Sequence, residues 1–348
     1  MSVLTEGIQP DFISIPHPVP SVISQQEDWN YSRVSLIHNL DGQQLMEWVD
    51  LKQLDTLIQQ TKVLGADVEE IGVSGEGRSI YAVTVGDKQA TRTVAIIAGF
   101  HAAEVIAPLA AIYMLQALVN NPPPTVRFCI VPVADPDFVS RNASELPTNV
   151  TLQALLNLNH QRDLEGYFTT NTYPECIAIR QWLEHFDRID AYFSLHSAHC
   201  ISPGLFFYVS STSNSGWASK VASQVTATAP DWISLLSQDP TGLSKKALSP
   251  GFFELEIPER EQLNTSHPGS SLTFVVHRFQ PQYVGVSEMP LAVCPALAEA
   301  SLAEIDQCNR DFKQTGRTSY SFQEIDLDTQ LRIMENWVWT VTEQVAAA

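Results

Sequence analysis

Basic residues are scarce in this 348-residue chain: 20 Lys and Arg stand against 39 Asp and Glu, a formal charge of −19. Binding to a phosphate backbone needs a basic footprint, so nucleic acid is not expected as a partner. That balance says little about a small substrate, because an acidic protein can still hold a local positive pocket. Charged residues of both signs make up only 17%, which leaves much of the surface to Ser, Thr, Asn and Gln. No apolar run approaches the roughly 20 residues a membrane span needs, so no membrane partner is expected either. The opening MSVLTEGIQPDFISIPHPVP has neither the basic nor the apolar region of a signal peptide. Cysteine is sparse and odd in number (Cys129, Cys176, Cys200, Cys294, Cys308), with no CxxC pair. Free thiols in a reducing compartment fit that pattern better than a disulfide framework, and a cytoplasmic location is expected.

What is present is a hydrophobic share of 44%, enough for a sizeable core, arranged in alternating patterns. Residues 1–45 are Pro- and Ser-punctuated without a clear period and read as an extended N-terminal arm. From there a single catalytic domain over 46–348 is expected, since no linker divides it. Leu51, Leu54, Leu57 and Ile58 space out an amphipathic helix that Gly65 stops. A strand pair, Val68–Val73 and Ser79–Val85, turns at Ser74-Gly75-Glu76-Gly77. Thr93–Ala98 and Val126–Val133 are continuously apolar, as in strands buried on both faces. A helix is expected over Glu104–Val119, another over Pro174–Phe186, and a third from near Ser215 to Thr228. Strands are expected over Ile189–Leu195, Leu205–Ser210, Leu272–Phe279 and Tyr283–Ser287, then helices over Pro295–Lys313 and Leu327–Val345. Strands alternating with helices predict an α/β fold: a mixed, mostly parallel twisted sheet with helices on both faces.

The strongest local feature is Gly99-Phe100-His101-Ala102-Ala103-Glu104, a His and a Glu three apart where a buried strand ends. Open α/β sheets put their sites at that edge. Catalytic zinc takes three protein ligands from His and carboxylate and keeps a fourth position open. A surface His beside a Glu that favours a helix N-terminus would look the same. A second strand-end histidine, His196 in Ala191-Tyr192-Phe193-Ser194-Leu195-His196-Ser197, favours a His₂Glu site over two accidents.

The order and spacing of these segments resemble the M14 metallocarboxypeptidases over roughly residues 50–345. Val68–Tyr81 is similar to the strand-turn-strand before that family's first zinc ligands, GFHAAE to its HxxE motif, and SLHS to its third-ligand motif. Pro174-Glu175, before the helix leading to SLHS, is also similar. The resemblance implies a zinc-carboxypeptidase-like fold, one Zn2+ per chain on His101, Glu104 and His196, and hydrolysis of C-terminal amide bonds by metal-activated water. It implies a late strand-end Glu as general base: Glu288, with Glu256 and Glu254 as competitors. Ala134–Ala143 looks like the segment that carries the oxyanion-stabilising Arg, which makes Arg141 the candidate, although Phe138 stands where Gly is usual.

The substrate-carboxylate grip departs from the family pattern. An Asn-Arg pair is replaced by Asn159-His160, with Arg162 two residues on and able to pair with Asp163; the capping Tyr is not evident; and Ser194 stands where Asp is usual. Three functions follow. The first is a metallocarboxypeptidase acting on peptides. The second is a zinc amidohydrolase or deacylase acting on an acylated amino acid or modified peptide. The third is a catalytically degenerate binding protein of the same fold. His199 and Cys200 read as pocket-wall residues, His267 and His277 as surface or edge-strand residues, Glu69-Glu70 as a solvated strand end, and Trp337 and Trp339 as packing of the last helix.

Overall fold

A computed structural model describes residues 50–147, 150–198, 200–210, 216–244, 246–263 and 268–348. The arm expected over 1–45, His199 and His267 lie outside these residues. Nine strands form the main sheet: β1 (Asp67–Val73), β2 (Ser79–Val85), β3 (Arg92–Ala98), β4 (Val126–Val131), β5 (Ala191–Leu195), β7 (Phe206–Ser210), β8 (Ala247–Ser249), β9 (Phe252–Leu255) and β10 (Tyr283–Glu288). Their order is β1-β2-β4-β3-β5-β10-β7-β9-β8. The central run β4-β3-β5-β10 is parallel throughout, as is β7-β9; the remaining neighbours are antiparallel. Short strands β6 (Ile201–Ser202), β11 (Ala292–Val293) and β12 (Gln323–Glu324) make a second small sheet.

Alternation along the strands sends successive side chains to opposite faces, so each face needs its own helical cover. Ala95 and Ile97 of β3, Cys129 and Val131 of β4, and Val284 and Val286 of β10 share a core with α5 (Pro174–Leu183) and α7 (Ser271–Phe279). On the opposite face, Phe193 of β5 and Phe207 of β7 meet Trp337 of α9 (Leu327–Ala347), at centroid distances of 4.9 and 5.2 Å. Beside α9 lie α2 (Ile106–Asn120) and α6 (Trp217–Thr228), and α1 (Leu51–Val63) packs on α2. Gly285 of β10 admits Trp337: a Cβ there would lie 2.6 Å from its ring. Short helices α3 (Pro136–Glu145) and α4 (Leu152–Leu156) fill the β4–α5 connection, and α8 (Leu302–Thr315) precedes α9. Among the described residues no helix is long and apolar enough to cross a membrane.

Local chemistry explains most boundaries. Asp50 and Gln53 close a capping box that starts α1, and Ser301 and Glu304 do the same for α8. Four expectations need correction. Residues 272–279 are helical, not a strand: Ser270 and Thr273 form a capping box, and the buried Leu272, Val275 and Val276 fit a helical period, so tertiary burial overrides the β-branched composition. The helix after HxxE begins at Ile106, leaving Glu104 in a turn closed by its N–H donating to the His101 carbonyl at 2.9 Å. The stretch expected as one helix from Pro295 is a 3₁₀ turn at Pro295–Leu297 followed by α8, because the Ser301 cap starts the helix afresh. Helix α3 was not expected from the sequence; it starts on the Asp135 cap with Pro136 at its first position.

Candidate active site

Strand register decides which side chains meet. In the parallel centre Ala98 pairs with Leu195, and Val286 with Ser194, so β3, β5 and β10 end together at one edge. His101 and His196 lie just beyond the ends of β3 and β5, and Glu288 is the last residue of β10. Ser287 ties two of the strands: its hydroxyl accepts from the His196 N–H at 2.9 Å and donates to the His196 carbonyl at 2.8 Å. That fixes the backbone of His196 against the strand that carries Glu288.

His101, Glu104 and His196 converge, each offering a ligand atom within 4.8 Å of the others. The two imidazoles stand 4.8 Å apart between centroids at 65°. Both direct Nδ1 at the same carboxylate, His101 to Glu104 Oε1 and His196 to Oε2, each at 2.8 Å. Their other nitrogens are held from behind: His196 Nε2 lies 2.8 Å from the Ser194 hydroxyl, and His101 Nε2 lies 3.6 Å from Asp163 Oδ1. His196 is buried, with 3% of its side chain exposed, whereas His101 keeps 30%. Burial alone would depress both imidazoles. For His101 the Asp163 and Glu104 carboxylates outweigh it and raise the pKa to about 11; for His196 the Glu104 charge raises it. Glu104 is held below the usual carboxylate range: burial works against this, and the two histidines prevail. A carboxylate between two convergent imidazole nitrogens, with the outer nitrogens already engaged, is a donor set suited to a divalent cation with His and O ligands.

Glu288 ends β10, half-buried beside this cluster. Burial first, and then the Glu104 charge, raise its pKa above the ordinary carboxylate range, with His196 and His101 opposing. Its two competitors lie elsewhere. Glu254 holds Lys246 at 2.9 Å, and Glu256 is exposed on the wall of a neighbouring cavity.

Arg141 is exposed on α3, with its guanidinium 4.5 Å over the Phe138 ring and paired with Glu76 of the β1–β2 turn. Asn159 is exposed, and His160 Nε2 meets Glu145 Oε1 at 2.6 Å. Arg162 is committed inward, to Asp135 at 2.9 Å, Asp137 at 3.5 Å and Glu175 at 2.5 Å, and not to Asp163. The same carboxylates organise the β1–β2 turn: Asp137 accepts from Ser74 and Arg78, and Glu175 from the Gly75 N–H. Sequence reasoning did not single out Asp163 as a neighbour of His101; Ser194 it noted as the residue standing where Asp is usual before His196. Ser194, two residues from a ligand on a strand, shares its face, and that period was a usable signal. Asp163 carried none, because its place depends on a loop far from His101 in sequence.

Residues 54–149 match the family model described as zinc carboxypeptidase, Peptidase_M14. Among solved structures, the metallo-carboxypeptidase from Burkholderia cenocepacia is similar at 15% identity and a TM-score of 0.54, over 84% of this chain and 68% of that one. The carboxypeptidase A from Helicoverpa armigera is similar at 15% identity and a TM-score of 0.51, over 85% of this chain and 72% of that one. At such identities the structural likeness speaks for the fold, and the family model speaks for the segment holding HxxE. Residues 54–149 are thus similar in sequence to the zinc carboxypeptidases of the Peptidase_M14 model, and the chain shares the fold of the solved carboxypeptidases over more than four fifths of its length.

Proposed function

We propose that this chain hydrolyses C-terminal peptide or related amide bonds with one zinc ion held by Nδ1 of His101, a carboxylate oxygen of Glu104 and Nδ1 of His196. The observation that carries the reading is the convergence of those three donors within 4.8 Å at the edge where β10 delivers Glu288. Zinc, when bound, supplies a Lewis acid for the scissile carbonyl and lowers the pKa of water. Glu288 takes the proton of the attacking water and returns it to the leaving amine, a role suited to a carboxyl whose pKa lies above the ordinary range. Arg141 steadies the oxyanion after exchanging its Glu76 partner for the substrate. Ser194 and Asp163 hold the imidazoles in the tautomer that presents Nδ1 inward.

One observation favours the amidohydrolase or deacylase variant of this chemistry over a carboxypeptidase that grips a free terminus. Arg162 is committed to three buried carboxylates and His160 to Glu145, so neither is available as a fork for a substrate carboxylate. The test is direct. Purified protein is assayed for zinc by mass spectrometry and for hydrolysis of matched peptides with free and amidated C-termini. About one zinc per chain, hydrolysis of both peptides, and loss of metal and turnover together in His101→Ala support the reading. Stoichiometric zinc without hydrolysis of any amide would instead identify a binding protein.

A further inference from the structure

Behind His196 stands a carboxylate, Glu165, on which two chains of hydroxyl groups converge and which none of the roles above uses. Tyr192, Ser194 and His196 alternate along β5 and just past its end, so their side chains share the face that α7 covers. Glu165, from the segment between α4 and α5, bridges that face to the first turn of α7. Its Oε1 accepts from the Ser271 N–H at 3.0 Å and from the Ser271 hydroxyl at 2.7 Å. The Ser271 hydroxyl in turn accepts from the Tyr192 hydroxyl at 2.6 Å. On the other side, Glu165 Oε2 accepts from the Ser194 hydroxyl at 3.5 Å, and that hydroxyl lies 2.8 Å from His196 Nε2. Tyr192, Ser194 and Ser271 are fully buried, so bulk water does not compete for their hydroxyls.

The direction of each bond follows from what each group can give. A carboxylate only accepts, so Ser271 and Ser194 both turn their protons toward Glu165. Ser194 is left with lone pairs for His196, whose Nε2 therefore carries the hydrogen and donates it. The bare Nδ1 then faces Glu104, 2.8 Å away, at the point where the three proposed ligands meet. We propose that Glu165 is a positioning residue of the metal centre, setting the tautomer and ring orientation of His196 through the Ser194 hydroxyl. The assignment rests on the metal reading above and adds to it a residue that touches neither metal nor substrate. Contacts independent of the metal hold Glu165 in place, since its other oxygen takes two donors at the start of α7, an end that favours an anion.

Glu165→Gln is the discriminating variant. Its carboxamide oxygen is claimed by the two Ser271 donors, which turns the NH2 toward Ser194. Ser194 then accepts from the amide and aims its own proton at His196 Nε2, which favours a hydrogen on Nδ1, the nitrogen that zinc needs bare. Zinc affinity of the full chain, read by competition with a chromogenic chelator, is expected to fall about ten- to a hundredfold in Glu165→Gln. Ser194→Ala is expected to lose a comparable factor. Adding Glu165→Gln to Ser194→Ala is expected to cost less than about threefold more, because the relay is already cut. The visible absorption of cobalt(II)-loaded protein, which reports ligand geometry, should shift in both single variants, and the double variant should match Ser194→Ala. An equal loss from Glu165→Gln in both backgrounds would mean that it acts through the fold alone, and overturns the assignment. Wild-type zinc affinity in either Glu165→Gln or Ser194→Ala also overturns it and leaves the metal centre intact. Wild-type protein that binds no zinc removes the metal centre, and this role of Glu165 with it.

Discussion

Glu104 Oε2 lies 2.8 Å from Nδ1 of His196, a contact that spans 92 positions of sequence. The other oxygen of the same carboxylate reaches His101 at 2.8 Å, so one acidic side chain holds both imidazoles and is held by them. This arrangement makes metal binding a proton exchange. Both imidazoles have raised pKa values in the metal-free protein, and ligating nitrogens must shed their protons.

Zinc binding at pH 7 is therefore expected to release about one proton per ion, from His101. Calorimetric titrations in buffers of different ionisation enthalpy measure this number, and a value near zero would remove the proposed ligand pair. The sign for stability follows. A histidine whose folded pKa is raised stabilises the metal-free protein fully below about 6.5 and loses that contribution as pH climbs toward about 11. The gap in melting temperature between zinc-loaded and metal-free protein should widen from pH 6 to pH 9.

Glu288→Gln should retain zinc and lose about two to four orders of magnitude in kcat, the usual worth of a positioned proton-transfer group. Metal content and steady-state kinetics on the same preparation check it. Full activity in this variant would rule out Glu288 as the base.

Arg162→Ala should destabilise the fold by about 3–5 kcal/mol, because it strands Asp135 and Glu175 without their cation and leaves Asp137 to Arg78 alone. Denaturant unfolding measures the loss, and Arg162→Met, an apolar replacement that leaves the same carboxylates buried, should be no better. An unchanged midpoint with KM raised only for substrates bearing a free carboxylate would show instead that Arg162 serves the substrate.

Gly285→Ala should cost about 1–3 kcal/mol, since the added methyl meets the Trp337 ring beneath the strand that ends at Glu288. Adding Trp337→Phe should recover part of this loss, a coupling that a double-mutant cycle reads directly. Independent additive losses would mean that the two residues do not compete for the same space.

Much of this site was legible before any coordinates. The pairs His101–Glu104 and His196 each follow a continuously apolar strand, and a strand end in an α/β sheet fixes the edge at which its next residue emerges. The continuous burial of β3 and β5 also predicted a sheet covered on both sides, as Trp337 and α5 confirm. Residues 271–279 misled because Val275, Val276 and Phe279 suit either structure by composition, and only the Ser270–Thr273 box and burial on one side select the helix.

Sequence alone determined which residue types stand at strand ends, because local apolar periodicity and its interruption are written along the chain. It could not determine who faces whom. Arg162 is adjacent to Asp163, yet the fold turns Arg162 toward Asp135 and Glu175 and turns Asp163 toward His101. That division was decided by the tertiary structure: three buried carboxylates need a cation far more than one exposed carboxylate does, and their meeting depends on loops closing across more than a dozen to several tens of residues.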